Sequence, residues 1–254
     1  MFQQSSGWIS RVLTGSHEAT ADGEGAHNLP HSSLMSDDDF VYELVTHDIH
    51  GGDLERYVDK YAQYVELIGK KLADNQLVGS WRVVYGENID QAVHLWKYSK
   101  GFATADAVVA AQVSDREVLA CVRDYAPLTN KRRAMILKSF SYWGHPKPRA
   151  GPNIYELRSY VLKPGQMIEW GNHWVKGIQY RRDFDQDVGG FFSQMGQLYM
   201  VSHLWAYKDL ETRRKAREHT WSKPGWDKTV AYTVPLIQTM SSKIMVPNHF
   251  SQLK

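Results

Sequence analysis

Two stretches of this chain carry nearly the same side chains in the same order, Ala92-Val93-His94-Leu95-Trp96-Lys97-Tyr98 and Val201-Ser202-His203-Leu204-Trp205-Ala206-Tyr207. Val41-Tyr42-Glu43-Leu44 is echoed by Ile154-Tyr155-Glu156-Leu157, and Pro127-Leu128 by Pro235-Leu236, each at a spacing near 110 residues. Three matches in one order at almost one spacing identify a duplicated domain, since the period is too long for a solenoid repeat. With 254 residues, each copy has room for its own core.

The first copy reads as a strand from Phe40 to Thr46 and, after Gly51-Gly52 and the N-cap Asp53, a helix with Leu54, Tyr57, Val58, Tyr61, Val65, Ile68 and Leu72 on one face. A strand opened by Gly79 turns at Gly86-Glu87-Asn88-Ile89-Asp90 into the His94 strand. A helix over about 104–125 and a strand from Met135 to Tyr142 complete a βαββαβ unit. Residues 144–152, rich in Pro and Gly, form the linker between repeats at 39–143 and 153–254.

The second copy follows the same plan. A strand at Ile154–Leu162 leads to a helix with Met167, Trp170, Trp174 and Ile178 on one stripe. Strands at Gly189 and His203 follow, then a charged helix from Asp209, broken by Lys223-Pro224-Gly225, and a last strand at Ser241–Val246. Residues 1–38 lack periodicity and are expected to be a mobile arm, with one amphipathic turn at Trp8, Ile9, Val12 and Leu13. Four strands with helices on one side leave a bare sheet face. The fold class is therefore α+β: two tandem ferredoxin-like repeats whose sheets meet as a pseudo-two-fold barrel with the helices outside.

Composition excludes some functions. The net charge is only +2, from 30 basic and 28 acidic residues, which offers no field for nucleic acid or an anionic membrane. No apolar run approaches the roughly 20 residues of a transmembrane helix. A single cysteine, Cys121, forms no internal disulfide. Nucleotide-binding, serine-hydrolase and zinc-peptidase motifs are absent from the sequence.

On a strand, alternate side chains share a face. His94, Trp96 and Tyr98 go together, as do His203, Trp205 and Tyr207, while Glu43 and Glu156 with Arg158 lie opposite their flanking aliphatics. These nine residues are the candidate barrel-lining and ligand-binding set, capable of proton transfer or of holding a polar ligand. The competing reading is a satisfied buried network in which Glu156 pairs with Arg158 or a histidine. His47-Asp48-Ile49-His50 has metal-pair spacing but no further ligand at a characteristic interval, so His47 is read as a loop histidine, and no metal or other cofactor is assigned. His17, His27 and His31 carry less weight still. The runs Lys131-Arg132-Arg133 and Arg213-Arg214-Lys215 with Arg217 read as solvated faces, with anionic lipid or an acidic partner as the minority reading. Tyr42-Glu43-Leu44-Val45 and Tyr64-Val65-Glu66-Leu67 have the aromatic-x-x-aliphatic form of peptides that add a strand to an autophagy adaptor, but both fall inside expected elements.

Several strings resemble the NipSnap family: Gly151-Pro152-Asn153-Ile154-Tyr155-Glu156-Leu157-Arg158, Leu162-Lys163-Pro164-Gly165, Met167-Ile168-Glu169-Trp170-Gly171-Asn172, Gly189-Gly190-Phe191-Phe192-Ser193-Gln194 and His203-Leu204-Trp205-Ala206-Tyr207-Lys208-Asp209-Leu210. Asp90-Gln91-Ala92-Val93-His94-Leu95-Trp96 and Tyr232-Thr233-Val234-Pro235-Leu236 extend the likeness from about residue 40 to the end. The resemblance implies a tandem dimeric α+β barrel, a mitochondrial location, and a non-enzymatic role binding autophagy adaptors and receptors in mitochondrial quality control. It implies no catalytic residue. The barrel is shared with small monooxygenases and haem-handling proteins, so a small-ligand-binding or oxygenase-like barrel is the alternative. Further association into a homo-oligomer stays open. Gly7-Trp8-Ile9-Ser10-Arg11-Val12-Leu13 is similar to the family segment that follows the targeting region, and Glu18, Asp22 and Glu24 make residues 1–38 a poor presequence.

Overall fold

The computed structural model describes residues 35–254. The turn expected at Trp8 to Leu13 and most of the expected arm lie outside the described residues. The arm's last residues do not fit a mobile segment. Asp38 accepts from Lys138 Nζ through its backbone carbonyl (2.8 Å) and from Ser139 Oγ through its carboxylate (2.9 Å), and Ser36 is buried.

Strand β1 (Val41–Ile49) is followed by α1 (Leu54–Lys71), the hairpin β2 (Asn75–Tyr85) and β3 (Gln91–Tyr98), helices α2 (Phe102–Ser114) and α3 (Arg116–Tyr125), and β4 (Thr129–Ser139). The second copy runs β5 (Ile154–Leu162), α4 (Met167–Gly177), β6 (Asp187–Met195), β7 (Met200–Tyr207), α5 (Leu210–Ser222), α6 (Trp226–Thr233) and β8 (Ile237–Pro247). The single helix expected over 104–125 is two, because Asp115 leaves helical geometry and its carboxylate caps the backbone N–H groups of Glu117 (3.0 Å) and Val118 (3.1 Å). A similar cap from Asp209 to the N–H of Thr212 (2.6 Å) starts α5 where the sequence places it. No helix among the described residues is long and apolar enough to cross a membrane.

All eight strands join one closed antiparallel barrel in the order β1-β3-β2-β8-β5-β7-β6-β4. The two repeats therefore share hydrogen bonds as well as a sheet face. Trp81 to Tyr85 of β2 pairs with Ile244 to Pro247 of β8, and Ile136 to Ser139 of β4 pairs with Phe191 to Met195 of β6. Closure consumes every edge that would otherwise invite another strand.

The enclosed space is filled. Leu44, Leu95, Leu157 and Leu204, all at most 5% exposed, meet at its centre, flanked by Trp81 against Tyr155 (ring centroids 5.3 Å) and Tyr42 against Phe191 (4.9 Å). The residual cavity among them is about 10 Å³, too little for more than one water. Each leucine so buried contributes on the order of 2 kcal/mol.

This packing corrects the expected barrel lining. Glu43, His94, Trp96 and Tyr98 do share a face, as do Glu156, Arg158, His203, Trp205 and Tyr207, but those faces point outward, under the helices. For Glu43, His94, Trp96 and Glu156 the outer face supplies hydrogen-bond partners, whereas His203 and Trp205, whose ring nitrogens have none, are held there by aromatic packing. Imidazole, indole and carboxylate groups need polar partners. A facing sheet of leucines offers none, whereas the helices bring Tyr57 and Tyr61 to His94 and Trp96, and Arg213 to Glu156.

Candidate functional site

Each repeat thus has a layer between sheet and helices, and the two layers begin from the same register. Glu43 sits opposite Trp96 and Val45 opposite His94, while Glu156 sits opposite Trp205 and Arg158 opposite His203. The side chains then diverge.

In the first repeat, α1 places Tyr57, Tyr61 and Tyr64 on one buried stripe. Tyr61 stacks on His94 (centroids 3.8 Å apart, planes 15°) and accepts from Trp96 Nε1 (3.2 Å). Tyr57 Oη lies 2.5 Å from His47 Nδ1 and 2.9 Å from His94 Nε2, and Ser80 Oγ lies 2.9 Å from His94 Nδ1 and accepts from Asn248 Nδ2 (2.8 Å). One direction satisfies every donor: Asn248 to Ser80, Ser80 to His94 Nδ1, His94 Nε2 to Tyr57, Tyr57 to His47. Both imidazoles are then neutral. Burial agrees, holding His47 down to about 3, with Arg132 adding to the effect, and His94 well below its ordinary value. His47 is therefore a buried strand residue and not the loop histidine expected, because β1 runs on to Ile49.

Next to this relay is an open cleft of about 540 Å³, walled by Glu43, His47, Tyr64, Trp96, Tyr125 and Arg132. Glu43 accepts from Tyr98 Oη (2.5 Å), and burial raises its carboxyl above the ordinary carboxylate range, only partly offset by that bond. A carboxyl whose affinity for its proton is raised by burial, beside neutral imidazole and phenols, is suited to exchanging a proton or a hydrogen bond with a ligand. The volume falls in the range of small-ligand sites.

In the second repeat the same carboxylate is pinned in its charged state. Glu156, fully buried, receives Arg213 through Nε (2.9 Å) and Nη2 (2.7 Å), Arg158 Nη1 (2.9 Å) and Ser242 Oγ (2.8 Å). Burial alone would raise its pKa, but these cations and hydrogen bonds hold it at about 2. Here the satisfied network, and not the proton-transfer pair, is what the residues form. Tyr207 Oη accepts from Arg181 (3.1 Å), whose guanidinium lies over Trp205 at 4.3 Å. His203 is enclosed by Trp143 (4.4 Å), Trp174 (4.8 Å) and Trp170 (5.2 Å), and neither ring nitrogen has a hydrogen-bond partner. It is kept neutral by burial and by Arg158 and Arg181. A smaller cleft of about 160 Å³ opens beside this cage, between Arg158, Trp170, Trp174, Trp226 and Arg217.

Sequence reasoning missed Tyr57 as the bridge, Ser80 and Asn248 as its anchor, and Arg213 as the partner of Glu156. For Arg213 a signal existed. Glu211 and Glu218 both bond Arg214, so the acids sit with that side of α5, leaving Arg213 and Arg217, four residues apart, on another. A haem does not fit these histidines: His94 and His203 are fully buried, His94 has both nitrogens committed, and neither lines a cleft. Among the described residues no group of three His, Cys, Asp or Glu could hold a metal ion.

The NIPSNAP family model matches residues 42–142 and 155–252, once per repeat. A NipSnap protein of Caenorhabditis elegans is 46% identical over 99% of this chain but only 47% of its own length, so the chain spans about half of that relative. Protein NipSnap of Drosophila melanogaster is 41% identical over 97% of this chain and 88% of its own, and human NipSnap homolog 2 is 46% identical over 88% and 79%. Among solved structures, a Lactobacillus acidophilus protein provisionally assigned as a monooxygenase superposes with a TM-score of 0.59 over 83% of this chain and 94% of its own, at 9% identity. An anthrone oxidase-like protein gives 0.55 over 87% and 96%, at 11%. At such identities the likeness is one of fold.

Proposed function

The chain belongs to the NIPSNAP family, and from that premise we propose that it is a non-enzymatic mitochondrial binding protein that engages autophagy adaptors and receptors in mitochondrial quality control. The observation that supports binding over turnover is the commitment of the polar groups: Glu156 is locked in an arginine cage, and both His94 nitrogens are taken, by Tyr57 and Ser80. Tyr42 lies inside the barrel and Tyr64 on the buried face of α1, so neither aromatic-x-x-aliphatic string is free to add to a partner's sheet. Engagement on this reading uses the folded surface. Immunoprecipitation of the chain from depolarised cells should recover an adaptor or receptor, and recovery should persist when Leu67, the last residue of the second string, is changed to Ala. Failure to recover any such partner from mitochondria that contain the protein would defeat the proposal.

A second reading, a small-ligand-binding barrel, is favoured by the 540 Å³ cleft beside Glu43. Native mass spectrometry of protein purified from its own cells should then show a bound mass that Glu43→Ala reduces. An unliganded mass in both proteins would remove this reading and leave the first untouched.

A further inference from the structure

The second-repeat cleft is lined by desolvated cations, whereas the basic residues of the first cleft, Lys131, Arg132 and Arg133, are exposed to solvent. Arg158, Arg181 and Arg217 line it, with Arg213 on the same helix as Arg217, and among the described carboxylates only Glu156 forms an ion pair with any of the four. Glu156 is already taken by Arg158 and Arg213. Arg181, 4% exposed, has one phenol and two indole faces for partners, and its Nε has none. Arg217, half-buried at the cleft wall, has no hydrogen bond or ion pair among the described residues, and burial together with Arg158, Arg181 and Arg213 disfavours its charge. Desolvated cations without counter-charge are costly, and the arrangement becomes favourable when an anion joins it. The rest of the wall is flat and apolar. Trp170 stacks on Trp174 (centroids 5.4 Å, planes 17°), Trp226 stands edge-on to Trp174, and the buried N–H groups of Trp170 and Trp226 lack partners. In the first repeat Val45 occupies the register of Arg158, so no buried guanidinium stands there.

We propose that this cleft binds a small organic anion, with a carboxylate or phosphate head between Arg158, Arg181 and Arg217 and a flat apolar body against the tryptophans. The volume of about 160 Å³ admits one aromatic ring with its acid group. Guanidinium forks suit either head group. The proposal goes beyond adaptor binding and does not depend on it.

The test is calorimetric titration of the full chain with sodium benzoate, phenyl phosphate, inorganic phosphate and the neutral benzyl alcohol, with tryptophan fluorescence recorded in parallel. At least one aromatic anion should bind saturably and perturb the fluorescence, and comparing the two acids identifies the preferred head. Benzyl alcohol should bind at least about tenfold more weakly, the loss expected for one charged hydrogen bond. Arg217→Gln, which removes an unpartnered charge and so should leave the urea midpoint unchanged or raised, should weaken the anion by about tenfold. The proposal is overturned if neither aromatic anion binds, if benzyl alcohol binds equally well, if Arg217→Gln binds as wild type does, or if inorganic phosphate matches phenyl phosphate.

Discussion

Replacing Glu156 by Gln should separate the two duplicated carboxylates more sharply than any other single change. The side chain is fully buried and bonded to Arg213, Arg158 and Ser242, and its pKa falls from an ordinary 4.5 to about 2. A fall of that size corresponds to about 3 kcal/mol of stability. Because the folded-state pKa lies below the unfolded one, that contribution is complete above the unfolded value and disappears as the pH falls from about 4.5 to about 2. Glutamine keeps the shape but leaves two partly buried guanidiniums without a counter-charge, so the loss at pH 7 should be about 3–5 kcal/mol. With a urea m-value of about 2 kcal/mol/M, the midpoint should drop by about 1.5–2.5 M. The assay is tryptophan fluorescence in urea from pH 7 to pH 2.5, where the gap between wild type and Glu156→Gln should narrow as the wild-type carboxylate protonates. A midpoint shift below about 0.5 M at pH 7, or a gap that does not change with pH, would refute the reasoning.

Glu43→Gln should behave oppositely. Burial favours the neutral acid there, so ionisation costs stability as the pH rises past the ordinary value, and the variant should match or exceed wild type at pH 8 in urea melts while losing that advantage at pH 4. Tyr57→Phe removes the hydroxyl between His47 and His94 and should cost about 1–3 kcal/mol, read as a lowered thermal midpoint. Wild-type stability should also fall as the pH drops from 6.5 towards 3, the window in which His47 takes up its proton only when unfolded; flat stability across it would contradict a neutral imidazole. Leu204→Ala should cost about 2–5 kcal/mol in urea unfolding if the barrel interior is packed, and under about 1 kcal/mol if it is a solvated chamber.

The sequence shows the duplication, the βαββαβ order and, for β5, the very residues Ile154–Leu162. It also shows which residues share a face, because the strand period is two. It does not show which face meets the other sheet, since Leu95 and Leu204 on one side and Trp96 and Trp205 on the other are all large enough to fill a core. What the outer face offers becomes visible only once Tyr61 is found stacked on His94 and Arg213 bonded to Glu156. His47 was misplaced for a local reason: Gly51-Gly52 suggests an early turn, yet pairing with β3 and β4 carries β1 on to Ile49, across a register shift at Asp48. Ser80 and Asn248 meet across 168 residues, a contact no local pattern encodes.

Barrel closure explains why the two clefts could grow so different from one starting register. The interior is shared, so Leu44 and Leu157, or Leu95 and Leu204, must fit residues from both copies at once, and change there is constrained twice. The outer layers are separate clusters, each packed mainly under its own helices with a few residues borrowed from the other copy's end, Asn248 and Phe250 on the first and Phe140 and Trp143 on the second. In the second copy Arg213 of α5, and then Arg158, the cation at the position facing the histidine where the first copy has Val45, favour the charged form of the neighbouring glutamate. Arg181 and Arg217 stand near it with no carboxylate of their own among the described residues, and tryptophans enclose the remaining imidazole. The first copy, lacking that cation, keeps its glutamate disposed to protonation and its histidines in a neutral relay. The duplicated residues therefore have one geometric origin and two chemistries, and a ligand or partner recognised by one side need not be recognised by the other.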